Sequence, residues 1–208
     1  MSIPYEATGR TKQKARTRNA LVAAARELLA DGVAPTVEQA AERAAISRTT
    51  AFRYFQNQRA LVLATYPELE DPSLVGAAAS TDPVARLETV LDHFLGQLVD
   101  HEPELRAQLR LSLEPTPPRP QALPLRQGRA IGWFEDALAP LRDRMTDAQL
   151  RRLVLAIRAT TGIEALVWLT DIAGVSRDAA AEIMRSSALT LARSAISDGD
   201  TGLTPEPA

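Results

Sequence analysis

The stretch Thr36–Leu61, TVEQAAERAAISRTTAFRYFQNQRAL, decides the fold of the N-terminal part of the chain. Thr36 is followed three residues later by Gln39, which makes a capping box and starts a short helix. Ser47 is a favourable N-cap residue for a second short helix that begins at Arg48. Two short capped helices joined by a tight turn predict a helix-turn-helix.

The side chains of this motif divide into an inner and an outer set. Small or apolar residues stand where the two helices must cross closely, namely Ala40, Ala41, Ile46 and Ala51. The residues left facing outward are Arg48, Thr49, Thr50, Arg53 and Tyr54. Arginine pairs bidentately with guanine, threonine and tyrosine hydroxyls bond bases or phosphates, and the helix starts at Thr36 and Ser47 point N–H groups at anions. We expect these residues to bind DNA; the alternative is an ordinary helical corner within a bundle.

Charge is distributed unevenly along the chain. Residues 1–61 contain ten basic and five acidic residues, whereas the remainder contains fourteen and twenty-one, so the net charges are +5 and −7. Five bases fall within nine residues, at Arg10, Lys12, Lys14, Arg16 and Arg18. A basic head on an acidic body favours a polyanion-binding module, although a solvated basic arm would look the same.

Hydrophobic periodicity predicts helices along most of the chain. An apolar stripe over Leu21–Leu29 predicts a first helix that ends at Asp31-Gly32, where glycine can be left-handed. Five prolines within residues 115–124 predict a loop. Further helices are expected over Arg48–Phe55, from Asn57, over Pro83–Val99, through Leu105–Leu113, through Ile131–Leu141, over Thr146–Ala173 and over Ser176–Ile196.

The composition is rich in alanine and leucine and contains 4% aromatic residues, which favours helices over sheet. The expected fold is all-α. A three-helix helix-turn-helix domain with a basic N-terminal arm occupies residues 1–65, a larger helical domain residues 66–197, and a disordered tail residues 198–208. The chain has no cysteine, no apolar leader and no uncharged apolar run of membrane-spanning length. We therefore expect a cytoplasmic protein with no membrane partner.

The stretch from Thr36 to Leu61 resembles the DNA-binding domain of the TetR family of regulators, and Arg18–Gly32 is similar to that family's first helix. The resemblance implies an all-helical homodimer in which a small DNA-binding domain is joined to a larger ligand-binding body. It implies dimerisation through the last two helices, about residues 146–173 and 176–196. It also implies that the protein is a repressor released from a palindromic operator by a small-molecule effector.

Three positions depart from the family's pattern. Ala45 stands where the turn usually has glycine, so a left-handed conformation there would be strained. Phe52 replaces a tyrosine that commonly contacts phosphate, and Gln58 replaces a lysine that commonly does so. We expect Gln58 to contact DNA at this position without the charge. We also expect DNA binding to be weaker or less dependent on salt than is usual for the family.

The effector site that the resemblance implies would need a few polar groups among apolar walls. The candidate lining residues are His93, Gln97, Trp133, Phe134, Glu164 and Trp168. Each has an alternative interpretation as a core, surface or interface residue. His93 and His101 are too few and too poorly placed to predict a metal site.

Enzyme motifs are not found in the sequence. There is no glycine-rich phosphate loop, no H-E-x-x-H, no serine nucleophile elbow and no cysteine, so we expect neither catalysis nor a cofactor. The alternative function is that of a helical interaction protein that keeps the fold but no longer recognises an operator.

Overall fold

A computed structural model describes residues 5–66, 73–76, 80–114 and 129–200 of the 208-residue chain. Every regular element in these ranges is helical, which confirms the all-α fold. The α-helices are α1 (Tyr5–Ala30), α2 (Val37–Arg43), α3 (Arg48–Tyr54), α4 (Gln58–Thr65), α5 (Pro83–Asp100), α6 (Glu102–Leu113), α7 (Arg129–Ala137), α8 (Asp147–Thr160), α9 (Ile163–Val167) and α10 (Arg177–Asp200). A 3-10 turn follows α7 at Ala139–Asp143, and a π-helical turn follows α9 at Trp168–Ile172.

The chain forms two compact units. The described part of the first unit contains α1–α4 together with α6 from Pro103 onward, and the second contains α5 and α7–α10. The predicted linear division at residue 65 therefore differs from the observed one. The reason is that Ala107 and Leu111 of α6 pack with Leu29 of α1 and Val62 of α4 in one apolar cluster.

A second apolar cluster forms the core of the helix-turn-helix part of the first unit. It joins α1, α2, α3 and α4 through buried residues that include Leu21, Ala25, Val37, Ala51 and Leu61. All but Ala25 and Ala51 are larger aliphatic side chains, and the small residues allow the helices to approach closely.

The first helix is longer than expected. The segment that was expected to be a basic arm is helical in the structure, because α1 begins at Tyr5 and runs without a break to Ala30. The sequence 11–20 is rich in lysine, arginine, glutamine and alanine, which are good helix formers, and its side chains are exposed or, at Thr17, half-buried.

In the second unit α10 packs against α5 and α8, and α7 packs against α5 and α8. Fully buried side chains, including Leu87, Leu91, Phe134, Ile157 and Met184, fill the space between them. Buried Glu102, where α6 begins, forms an ion pair with Arg177 at the start of α10. These contacts hold the start of the last helix against the end of the α5 segment.

The predicted continuous helix from Thr146 to Ala173 is wrong. The structure has α8, an extended residue at Gly162 (φ −85°, ψ 174°), then α9 and the π-helical turn. The hydroxyls of Thr160 and Thr161 both donate to the carbonyl oxygen of Ile157, at 2.9 and 2.8 Å. Such side-chain bonds compete with the backbone hydrogen bonds of the helix, and glycine destabilises the helix further.

This same stretch, Asp147–Ile172, is long and apolar enough by composition to cross a membrane, with a mean hydropathy of 1.5 in its most apolar window. The core helices of soluble proteins can be equally long and apolar. The stretch is broken at Gly162, and one side of it, which includes Val154 and Ile157, is buried in the core of the second unit.

Other predicted bounds also shift. The helix expected through Ile131–Leu141 ends at Ala137 and continues as a 3-10 turn, since Pro140 lacks the N–H that an α-helix needs. On α6 the side chains of Ala107 and Leu111 are buried, whereas Leu113, expected on the apolar side, is 77% exposed. The last helix extends to Asp200, past the predicted Ile196. The proline-rich loop and residues 201–208 of the predicted tail lie outside the described residues.

Candidate nucleic-acid interface

Local hydrogen bonds set the starts of α2 and α3. The N–H of Gln39 donates to Thr36 Oγ1 at 3.2 Å, and the N–H of Thr36 donates back to Gln39 Oε1 at 2.9 Å. At the second helix the N–H of Thr50 donates to Ser47 Oγ at 3.3 Å. The predicted capping box and N-cap are confirmed, and both helices begin where the sequence indicates.

The turn between α2 and α3 contains a strained residue. Ala45 has a φ of 53°, in the left-handed region. Its N–H donates to the carbonyl of Glu42 at 3.1 Å, and the N–H of Ile46 donates to the carbonyl of Ala41 at 2.9 Å. This is a Schellman motif, whose left-handed position is usually glycine.

The end of α1 forms the same motif with glycine in that position. Gly32 has a φ of 76°, and the N–H of Val33 donates to the carbonyl of Leu28 at 2.8 Å. The chain therefore carries two matched helix ends, one with Gly32 and one with Ala45.

The outward face of α3 is only partly the one that the sequence predicts. Arg48 has 75% of its side chain exposed, and Thr49 and Arg53 are also exposed. Tyr54 instead lies half-buried against the core of the first unit, so its ring helps to hold α3 in place. Thr50 is half-buried, and its hydroxyl oxygen accepts a hydrogen bond from Ser47 at 2.8 Å.

Three ion pairs order the charges around the motif. Arg48 Nη2 lies 3.7 Å from Glu38 on α2, so the exposed arginine has a carboxylate neighbour that DNA phosphates or bases would have to displace. Arg43, in the last turn of α2, bonds Asp31 at 3.0 Å and Glu27 at 3.4 Å. The Asp31 bond, with that to Glu27, raises the pKa of Arg43 above its usual value, and the pair holds the end of α2 to α1.

A further contact lies where α3 ends and α4 begins. The guanidinium of Arg18 on α1 lies over the ring of buried Phe55 at 5.6 Å, and Asn57 Oδ1 accepts the N–H of Ala60 at 2.9 Å as the cap of α4. The Arg18 contact was not predicted from the sequence. Its spacing of three and four residues from Leu21 and Val22 would have placed it on the inner side of α1.

The family comparison agrees with this geometry. Residues 21–65, which span the last ten residues of α1 and all of α2–α4, match the family model for bacterial regulatory proteins of the tetR family. These residues therefore form a helix-turn-helix domain of the TetR type. A search among curated proteins and a search among solved structures each gave no match. This domain supports the interpretation of the chain as a DNA-binding transcriptional regulator.

The three departures from the usual TetR pattern have a structural basis. Ala45 occupies the left-handed position, as the substitution for glycine implied. Phe52 is 40% exposed on α3 and offers no hydroxyl. Gln58 is the first residue of α4 and is half-buried, so an uncharged amide stands at the position where the family commonly has lysine.

The six candidate effector residues are dispersed over the second unit. His93 is exposed and Gln97 half-buried on α5, and Glu164 is exposed on α9. Trp133 and Phe134 are buried on α7, where the Phe134 ring meets Phe94 edge-on with centroids 5.4 Å apart. Trp168 is 56% exposed in the π-helical turn. Phe134 is therefore a core residue of the α5–α7 contact.

A groove in the second unit is formed by other residues. It has a volume of about 650 Å³ and lies beside the start of α5 and the end of α10. Its lining residues include Asp82, Pro83, Arg144, Arg193 and Ile196. None of the six candidate effector residues lines it, and it was not predicted from the sequence.

Proposed function

We propose that this TetR-family chain is a homodimeric repressor that binds a palindromic operator and leaves it when a small-molecule effector binds. The observation that carries this proposal is the exposed face of α3. Arg48, Thr49 and Arg53 project from a helix that is capped at Ser47 and seated on a packed core. A rigid helix with exposed donors is suited to the major groove.

Each side chain of the motif has a proposed role. Arg48 specifies sequence by pairing with a base edge, since its guanidinium is exposed and only loosely held by Glu38. Thr36 accepts its capping bond from Gln39, which leaves the hydroxyl hydrogen free to donate to a phosphate. The other predicted DNA contacts are Ser47, Thr49, Thr50, Arg53, Tyr54 and Gln58. Among them Tyr54 has its ring on the core, so only its hydroxyl edge would reach the DNA.

Exposed apolar residues of the second unit support a dimer through the last helices. Trp168 and Ile172 are 56% and 71% exposed, and Leu155 on α8 and Ile183 on α10 are also exposed. Ile183 lies on α10, and the other three lie on α8 and the π-helical turn, which both pack against α10. Large apolar side chains left in water on adjoining elements are typical of a protein–protein interface. These residues support our proposal that the dimer contact lies on the last two helical segments, about residues 146–173 and 176–196.

Effector release needs a ligand that binds one state of the dimer better than the other. We propose that the effector binds the second unit around His93, Gln97, Trp133, Phe134, Glu164 and Trp168. Four of these residues, His93 and Gln97 on α5 and Trp133 and Phe134 on α7, lie on two helices that pack against each other. The protein would carry out this function in the cytoplasm.

The first experiment is selection of a duplex from a random-sequence pool by the purified chain, followed by gel-shift titration at two salt concentrations. The wild type should bind the selected duplex more tightly than a scrambled duplex at both salt concentrations. Arg48→Ala should reduce this preference, by about 1–3 kcal/mol at one position of the half-site, because it removes a base contact. Thr36→Ala should weaken binding to both duplexes equally, since a phosphate contact carries no sequence information.

Equal effects of the two substitutions on sequence preference would contradict the assigned roles. A wild-type chain that shows no sequence preference at either salt concentration would contradict operator binding. That result would favour the alternative function, in which the fold serves protein interaction.

A further inference from the structure

Beyond the helix-turn-helix, α1 carries a second set of positive charges on a helix that projects from the core. Between Glu6 and Glu27 the sequence of α1 contains basic residues and no acidic residue. Lys12, Lys14, Arg16 and Arg18 are all exposed. Four cations on a rigid helix create a local positive field that the rest of the chain, with its net negative charge, does not share.

These four cations form two rows on opposite sides of α1. Lys14 and Arg18 are four residues apart, and their row continues at the same helical spacing into the buried residues Leu21 and Ala25. They therefore lie on the side of α1 that faces the core of its own unit. The contact of Arg18 with Phe55 confirms that direction directly.

Lys12 and Arg16 make the other row. They are also four residues apart, but their spacing continues into exposed Ala23 and Glu27. At about 100° per residue, Lys12 lies roughly 160° around the helix from Lys14, and Arg16 roughly 160° from Arg18. The two rows carry the same charge and differ in the direction in which they point.

The Lys14–Arg18 row lies beside the part of the motif that would meet the DNA backbone. Phe55, under Arg18, is the residue that ends α3, and Asn57, two residues later, caps α4. An α-helix is about 10–12 Å across with its side chains, so a helix such as α3 would fill the ~12 Å width of the major groove. The phosphates that border the groove would then lie close to the residues that flank α3. Lys14 lies about 6 Å further out along α1 than Arg18.

We propose that Lys14 and Arg18 form a phosphate-binding row that extends the DNA contact beyond α2–α4. This inference rests on the proposed DNA-binding function of α3. The partner is the sugar–phosphate backbone of duplex DNA flanking the bases that α3 contacts. Arg18 is held by Phe55, and Lys14 reaches the next stretch of backbone.

The test compares Lys14→Gln with Lys12→Gln, and the double variant K14Q/R18Q with K12Q/R16Q. The members of each pair remove the same charge from the same helix on opposite faces. Binding is measured by titration against the selected duplex and a scrambled duplex over a range of salt concentrations, with thermal unfolding to verify that each variant is folded. Loss of one phosphate contact lowers the slope of log K against log [salt] by about 0.9, or about 1.8 for two protomers.

We expect K14Q to lower the slope by this amount on both duplexes and to leave the ratio of their affinities unchanged, because phosphate contacts carry no sequence information. K12Q should have less than half of that effect. Equal slope changes in the two members of each pair would overturn the proposed phosphate-binding row, since they would show only a diffuse positive field around α1. An unchanged slope in both members would overturn it as well. These outcomes are distinct from failure of the proposed function, which shows as a wild type without preference for the selected duplex. A wild type that binds neither duplex overturns both.

Discussion

At the scale of single residues, the most informative position is Ala45, because it holds a left-handed conformation without the residue that favours it. The same motif at the end of α1 has Gly32 at that position. An L-residue with a side chain is less stable than glycine there by about 1 kcal/mol, since its Cβ crowds the following carbonyl oxygen. We expect Ala45→Gly to raise the free energy of unfolding by about 1 kcal/mol, measured by denaturant titration of the full chain.

Gly32→Ala provides the matched reverse substitution. An added Cβ at Gly32 would have no atom within 4 Å, so any loss would come from the backbone conformation and not from a clash. Its free energy of unfolding should fall by about the amount that A45G gains. A decrease in stability for A45G would contradict the left-handed assignment of Ala45.

The sequence predicts some of the residue-level features and not others. The caps at Thr36 and Ser47 depend on neighbours within three residues, so their pattern is readable along the chain. The half-buried position of Tyr54 and the contact of Arg18 with Phe55 were not predicted, because both depend on packing between helices distant in sequence. Helical periodicity alone would have placed Arg18 on the inner side of α1, but it gives no information on Phe55.

At the scale of elements, the end of α7 is secured by one side chain from α5. Arg86 donates from Nε to the carbonyl of Ala137 at 3.0 Å and from Nη2 to the carbonyl of Asp136 at 2.7 Å. Its side chain is only 17% exposed. Arg86→Met keeps much of the apolar stem but leaves these carbonyls without their donor. The free energy of unfolding should therefore fall by about 1–3 kcal/mol.

The matched variant is Arg142→Met in the 3-10 turn of the same unit, where the arginine is exposed. Denaturant titration should show a change within about 0.5 kcal/mol for this surface substitution. If R86M and R142M had the same stability, the end of α7 would not depend on Arg86.

Helix positions were predictable from periodicity, whereas helix interruptions were not. The start of α5 at Pro83 and the start of α8 after Thr146 follow from local signals. The break at Gly162 was not predicted, because the apolar pattern continues across it. Two threonine hydroxyls donate to a backbone carbonyl just before the break and compete with the helical hydrogen bonds. The helical extension of α1 was not predicted either, since it has no apolar stripe to indicate a helix.

At the scale of the whole molecule, the account depends on two copies of the chain acting together, because one seven-residue α3 contacts few base pairs. The proposed contact contains Trp168, whose 56% exposure would be lost on dimerisation. Trp168→Glu should produce monomers, since a carboxylate buried in an apolar interface is strongly unfavourable. Leu113→Glu places the same charge at a 77% exposed residue of α6, outside the proposed contact, and should leave the dimer intact.

Hydroxyl-radical footprinting on the selected duplex, with the wild type, W168E and L113E at equal protein concentration, tests this claim most directly. The wild type and L113E should each protect two segments whose centres are about 34–36 Å apart, one helical turn, or a multiple of that distance. W168E should lose the paired protection. A single protected segment for the wild type would contradict a dimer that binds two half-sites through α3. Protection of both segments by W168E would contradict it as well.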